Sequence, residues 1–166
     1  MIYDATIRPM ALAALLDIKG NFDDVGPRLR RLGIDPPMSG HAASAGAVEV
    51  FHPGREHWLL RAPLEQEDAL LFTLLEDQPL PGTLILALSD AYAFFDISGP
   101  QARQILAIAS PLDTDPRAFP ADGATITEAF GQKVLLIRSR TGFEIAVERS
   151  YAPMMTDYFS RINGAR

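Results

Sequence analysis

The sequence predicts an α+β protein whose sheets are mainly antiparallel. Helical segments alternate with strand-length apolar runs, and several of these runs follow one another across tight turns. The resulting order of elements is typical of two split βαβ halves. We expect one domain over residues 1–166, with two sub-halves of approximately residues 1–80 and 81–166 that divide at the proline-rich segment 79–81.

The first half is expected to begin with a strand and a short helix. Residues 11–19 are apolar enough for a buried strand or a short helix, and the bounding Pro9 and Gly20-Asn21 favour a strand. Residues 23–34 predict an amphipathic helix with Pro27 in its first turn and Gly33 at its C-terminal cap. Leu29 and Leu32 are three residues apart, and Arg28, Arg30 and Arg31 occupy the remaining positions of this helix.

A hairpin and a second helix should complete the first half. Residues 39–47 are small and polar and indicate a loop. Residues 48–51 and 58–61 are strand-like and flank a Pro-Gly turn signal, which predicts a hairpin. Residues 63–78 carry acids in the first turn and leucines at helical spacing, which predicts a helix.

The second half should open with two strands and a capped helix. Residues 83–88 and 92–97 are apolar runs joined by Ser89-Asp90. Ser98 and Gln101 match the capping-box spacing at the start of a helix whose apolar residues lie between 102 and 109.

Three strands and a final helix are predicted for the rest of the chain. The strand candidates are residues 124–129, 133–138 and 143–147, separated by turn residues. Ser150 can cap a helix that runs to about Ile162 with an apolar stripe on one face.

Composition excludes several classes of protein. The 166 residues carry a formal net charge of −6 and contain no cysteine. Disulfides, cysteine zinc sites, iron–sulfur clusters and thiol catalysis are therefore excluded, and neither nucleic acid nor an anionic membrane is an expected partner. No secretory signal or membrane span is recognisable, so we expect a cytoplasmic protein. The 48% apolar share leaves room for a contact face, for which Trp58 is the candidate.

The three histidines give a weak metal hypothesis. His52 and His57 stand five residues apart across a turn, with Glu49 and Glu56 as the nearby acids. A zinc site needs further ligands. Surface histidines at a hairpin, His41 included, are the favoured interpretation, and no metal site is expected.

Two segments resemble ion sites but have simpler explanations. Segment 98–100 opens a helix after a strand, where anions can bind, yet its single glycine and its proline leave few N–H groups. Asp113, Asp115 and Asp122 resemble the start of a calcium loop, but the glycine and the terminal glutamate of such a loop are misplaced. Helix capping and turn formation are favoured for these residues.

Signatures of common enzymes are missing from the sequence. It contains no nucleophile elbow, no P-loop and no dinucleotide-binding glycine pattern. No catalytic residue is assigned, and a binding or accessory module is favoured over an independent enzyme.

Four motifs in order produce a family resemblance. Residues 98–102 read S-G-P-x-A, residues 111–113 read P-L-D, a hydrophobic strand ends in Arg138, and residues 142–147 read G-F-E-I-x-V. Shorter similarities upstream lie at residues 18–20, 32–37 and 56–60. In this order the motifs resemble the gamma subunit of heterotetrameric sarcosine oxidase, a family related to the folate-binding aminomethyltransferase of the glycine cleavage system.

The resemblance implies both a fold and a role. The fold would be two ferredoxin-like halves, as in the folate-binding part of the aminomethyltransferases. The role would be that of an accessory, non-catalytic subunit in a flavoenzyme complex that oxidatively demethylates sarcosine or a related N-methyl amine. The alpha and beta subunits would be the partners and would carry flavin, NAD and tetrahydrofolate, with no cofactor on this chain.

The chain departs from the folate-binding enzymes at two motifs. Their T-G-E-x-G-F-E turn is shortened to residues 141–144, and their D-V-S reads Ala87-Leu88-Ser89 here. Each change removes an acidic residue and weakens the case for folate binding. The alternative function is a stand-alone folate-binding or small-molecule-binding module of aminomethyltransferase-like ancestry, with Arg138 and Glu144 as weak pocket candidates.

Overall fold

The computed structural model describes residues 3–75 and 82–162. Within these ranges the fold is α+β with two antiparallel five-stranded sheets, which confirms the predicted class. In chain order the elements are β1 (Thr6–Pro9), β2 (Ala13–Lys19), α1 (Phe22–Arg31), β3 (His41–Ala45), β4 (Val48–Gly54), β5 (His57–Pro63), α2 (Glu67–Leu75), β6 (Leu84–Ala87), β7 (Tyr92–Ser98), α3 (Ala102–Ala109), β8 (Ala124–Ala129), β9 (Gln132–Arg138), β10 (Gly142–Glu148) and α4 (Ala152–Ile162).

The chain forms two units that differ from the expected halves. The middle unit is residues 12–89, and the terminal unit combines residues 1–11 with residues 90–166. The expected division at residues 79–81 lies outside the described residues. The unit boundaries fall instead at residues 11/12 and 89/90, because β1 joins the strands of the second half and β6 joins those of the first.

The middle unit is a sheet of order β3-β4-β5-β2-β6 with two helices. The cluster of buried residues that joins this sheet to α1 and α2 consists of Ala14, Leu16, Ile18, Val25, Leu29, Ile34, Val50, Trp58, Leu60, Ala62, Leu70 and Leu74. Trp58 is 1% exposed, so the expected contact face around it is wrong. Its ring is core, and its indole N–H donates to the carbonyl oxygen of Gly20 over 3.3 Å.

Helix α1 starts earlier than its proline suggested. Asn21 is the N-cap, and its side-chain oxygen accepts the backbone N–H of Asp24 over 2.9 Å. Pro27 is consequently the sixth helical residue and does not lie in the first turn. Gly33 follows the helix with φ +75°, the left-handed conformation expected of a residue that ends a helix.

Arg28 is buried, unlike a typical arginine on the polar face of an amphipathic helix. Its side chain is only 5% exposed, and its guanidinium donates to the carbonyl oxygen of Leu74 in α2. Carbonyl groups near the end of a helix lack partners inside the helix. Arg28 therefore supplies a donor for α2 and holds α1 against it.

The predicted loop at residues 39–47 is also wrong. Residues His41–Ala45 form β3, which pairs with β4 from His41↔His52 to Ala45↔Val48. Small residues have little intrinsic strand preference, and main-chain pairing with β4 overrides it. The hairpin of β4 and β5 was predicted correctly.

β6 and β7 do not pair with each other although a short turn joins them. β6 pairs with β2, whereas β7 lies between β1 and β10. The terminal unit accordingly has the sheet order β1-β7-β10-β9-β8. The sequence predicted α3 and all three of its last strands correctly, and α4 follows a short 3₁₀ turn at Arg149–Tyr151.

The core of the terminal unit lies between its sheet and helices α3 and α4. The buried residues of this cluster are Ile7, Phe95, Ile97, Ala102, Ile105, Leu106, Phe119, Ala129, Val134, Leu136, Phe143, Ile145, Val147, Met155 and Phe159. Aromatic edges meet at its centre, where the rings of Phe95 and Phe159 are 5.0 Å apart. Among the described residues, the helices are all too short to cross a membrane.

Gly142 is required where β10 meets β7. A Cβ atom at this position would overlap the carbonyl oxygen of Ile97 and would lie 3.1 Å from the Cα of Ser98. Gly142 pairs with Ser98 in the sheet, so neither strand can move away without breaking the ladder. The first residue of β10 therefore has to lack a side chain.

We predict that Gly142→Ala lowers the free energy of unfolding by about 2 kcal/mol, because the added methyl overpacks the strand junction. Denaturant unfolding measures the change. Gly54→Ala is the matched control: a methyl added to this strand residue would meet nothing within 4 Å and should change stability by less than about 1 kcal/mol. Equal losses in the two variants would contradict the steric explanation.

Candidate functional site

Arg138 lies at the end of β9 and faces the helix side of the terminal sheet. It pairs across the strands with Phe143, and its guanidinium carbon is 4.6 Å from the centre of that ring. One guanidinium nitrogen lies 3.5 Å from the carbonyl oxygen of Thr114. A cation stacked on an aromatic ring in this way is held by the ring's quadrupole. Arg138 thus anchors the connection after α3 to the sheet.

Glu144 lies on the other face of the same sheet. It is one residue beyond Phe143 on β10, and successive side chains of a strand point to opposite faces. Its cross-strand neighbours are Asp96 and Ile137. The two pocket candidates from the sequence are therefore neighbours along the sheet, but they do not face a common pocket.

Asp96 organises the polar end of the face that carries Glu144. Its Oδ2 accepts the Ser98 hydroxyl over 2.8 Å and lies 3.7 Å from an Arg8 guanidinium nitrogen. Ser98 is thereby engaged within β7. The expected cap at Ser98 is wrong, because α3 begins at Ala102 and its N-cap position is Gln101.

The N–H groups at the start of α3, where the sequence suggested an anion site, already donate to carbonyl oxygens. Gly99 N–H donates to the carbonyl oxygen of Thr141 over 3.3 Å, and Gln101 N–H donates to that of Asp4 over 3.0 Å. Ala102 N–H donates to the carbonyl oxygen of Gly99 over 3.1 Å. A phosphate would have to displace these bonds, so the geometry supports a structural turn.

The acidic connection after α3 is built from turns. Asp113 accepts the backbone N–H of Asp115 over 2.9 Å, and Asp115 accepts that of Arg117 over 3.1 Å. The Arg117 side chain, hydrogen-bonded to the Asp115 carboxylate over 2.8 Å, lowers the pKa of Asp115. Arg103 adds a 3.3 Å ion pair. Backbone N–H groups bond to Asp113 and Asp115, and two arginines pair with Asp115, which is the contact pattern of a turn.

The structure separates His52 from His57. The imidazole of His52 stacks on Trp58 with ring centres 3.7 Å apart, and its Nδ1 lies 3.0 Å from the carbonyl oxygen of Pro37. His57 lies on the opposite face, where it pairs with Lys19 of β2. Across residues 3–75 and 82–162, no three His, Cys, Asp or Glu side chains are placed to hold a metal ion.

A charged cluster that the sequence did not reveal lies on β2 and β5. Asp17 Oδ1 is 2.9 Å from His57 Nε2 and 3.3 Å from Lys19 Nζ. Asp17 and His57 are mostly buried, with side-chain exposures of 16% and 21%. Asp17 and Lys19 share a face at spacing i, i+2, which was visible in the sequence. The pairing of His57 with β2 was not, since it depends on register.

The contacts of Asp17 set its acidity. Burial by itself would raise the pKa of Asp17, but the hydrogen bond and charge of His57 outweigh it, and Lys19 adds to them. The pKa of Asp17 consequently lies below its ordinary value of 3.8.

Comparison with known proteins identifies the fold. No family model matches the chain, and no curated protein matches it at a significant level. A chain of the heterotetrameric sarcosine oxidase from Corynebacterium sp. U-96, in complex with pyrrole 2-carboxylate, is structurally similar with a TM-score of 0.80. The sequence identity is 24%, and the match covers 98% of this chain and 87% of that chain.

Two further solved structures are similar at lower scores. The glycine cleavage system aminomethyltransferase T from Bartonella henselae has a TM-score of 0.70 and 14% identity, covering 96% of this chain and 46% of that chain. The regulatory subunit of aspartate kinase from Thermus thermophilus has a TM-score of 0.54 and 14% identity. This match covers 95% of this chain and 97% of that chain. The chain therefore has an aminomethyltransferase-like fold, shared with a chain of sarcosine oxidase.

We predict that His57→Asn raises the pKa of Asp17, because the burial remains while the imidazole that lies 2.9 Å away and lowers this pKa is lost. Carbon-13 NMR of the Asp17 carboxyl during an acid titration measures the shift. His52→Gln, on the opposite face, should leave this pKa unchanged.

The same substitution should alter acid stability. A carboxyl whose folded-state pKa is lowered stabilises the fold fully above its unfolded pKa, and this stabilisation is lost as the pH falls through the folded value. Acid unfolding of His57→Asn should therefore begin at a higher pH than in the wild type. An unchanged Asp17 pKa in that variant would contradict the assigned cause.

Proposed function

We propose that this chain is an accessory, non-catalytic subunit of a sarcosine-oxidase-like flavoenzyme complex that oxidatively demethylates sarcosine or a related N-methyl amine. The observation that carries the proposal is the match to a chain of heterotetrameric sarcosine oxidase over nearly the full length of both chains. The ordered motifs at residues 98–102, 111–113 and 142–147 support it independently, because they lie in the sequence and not in the backbone.

The side chains that the motifs share are used to build the fold. Gly142 permits the β7–β10 junction, and Phe143 carries the stacked Arg138. Gly99 has φ +110°, and a Cβ there would lie 3.0 Å from the Cα of Ala5. These residues stabilise the fold, which is what a structural subunit requires of them.

The proposal places the chemistry on other subunits. Alpha and beta subunits would be the partners and would hold flavin, NAD and tetrahydrofolate, whereas this chain would hold no cofactor. The assembly would be cytoplasmic. The motif resemblance is the basis for assigning the cofactors to the other subunits. The structural contacts made by Arg138, Asp96 and Asp115 are consistent with this assignment.

We predict that the chain co-purifies with alpha and beta subunits of the sarcosine oxidase type from the same organism. An affinity tag on this chain alone should retain both partners through size-exclusion chromatography, in constant ratio across the peak. Separate elution of the three chains would contradict the proposal. A second readout is sarcosine-dependent peroxide formation, which the isolated chain should lack and the complex should show.

A stand-alone folate-binding module is the second candidate function. The similarity to aminomethyltransferase T favours it, although this chain spans less than half of that enzyme. Arg138 and Glu144 were the residues proposed for such a pocket, and their opposite orientations weaken it. The shortened turn at residues 141–144 weakens it further.

Titration calorimetry with tetrahydrofolate separates the two functions. For an accessory subunit we predict no binding heat with the isolated chain at millimolar ligand. Saturable heat that Arg138→Met abolishes while the circular dichroism spectrum is retained would favour the folate-binding module instead.

A further inference from the structure

We draw no further inference here: the strongest candidate, the exposed apolar surface that α2 and β6 form with Phe72, Leu75, Leu84 and Leu86, carries nothing, because nothing in residues 3–75 and 82–162 shows what covers it.

Discussion

Two strands, β2 and β7, hold the structure together through pairing with partners far away in the sequence. β2 lies between β5 and β6, and β7 lies between β1 and β10. Each gives one helix-packed face to a core, so α1 and α2 depend on β2 in the same way as α3 and α4 depend on β7. Losing either strand would leave two separate pieces of sheet and an uncovered helix pair. The pairing of β7 with β10 also explains why residue 142 has to be glycine, since β10 can approach β7 only without a side chain there.

Local sequence patterns were sufficient to predict most individual helices and strands. They were insufficient to predict which strands pair with each other. Residues 102–109 and the last three strands were predicted because apolar spacing and turn residues are read from neighbouring positions. β3 was missed because its small residues become a strand only through β4. The partners of β6 and β7 were not predicted, because a short connection between two strands normally indicates a hairpin, whereas each of these strands pairs elsewhere. The burial of Arg28 could not be predicted from its own helix, because its partner, Leu74, is supplied by another helix.

The side chains that meet at the candidate site were also not predictable from local sequence patterns. The motif resemblance led to Arg138 and Glu144, but a strand alternates its faces, and one residue of offset places the two on opposite sides. The cluster of Asp17, Lys19 and His57 depends on the register between β2 and β5, which no sequence pattern specified. The sequence thus identified the family resemblance more readily than it identified any set of side chains that meet.

The crossed use of β1 and β6 has a consequence for synthesis of the protein. The middle unit is a continuous segment, so every strand of its sheet has left the ribosome once residue 89 has emerged. β1 is made first, yet its partner β7 begins only at Tyr92, and β10 follows still later. The earliest strand of the chain therefore waits, unpaired, while the segment behind it folds. Arg8 and Pro9 in β1 are residue types that disfavour pairing of an unpaired strand with another chain.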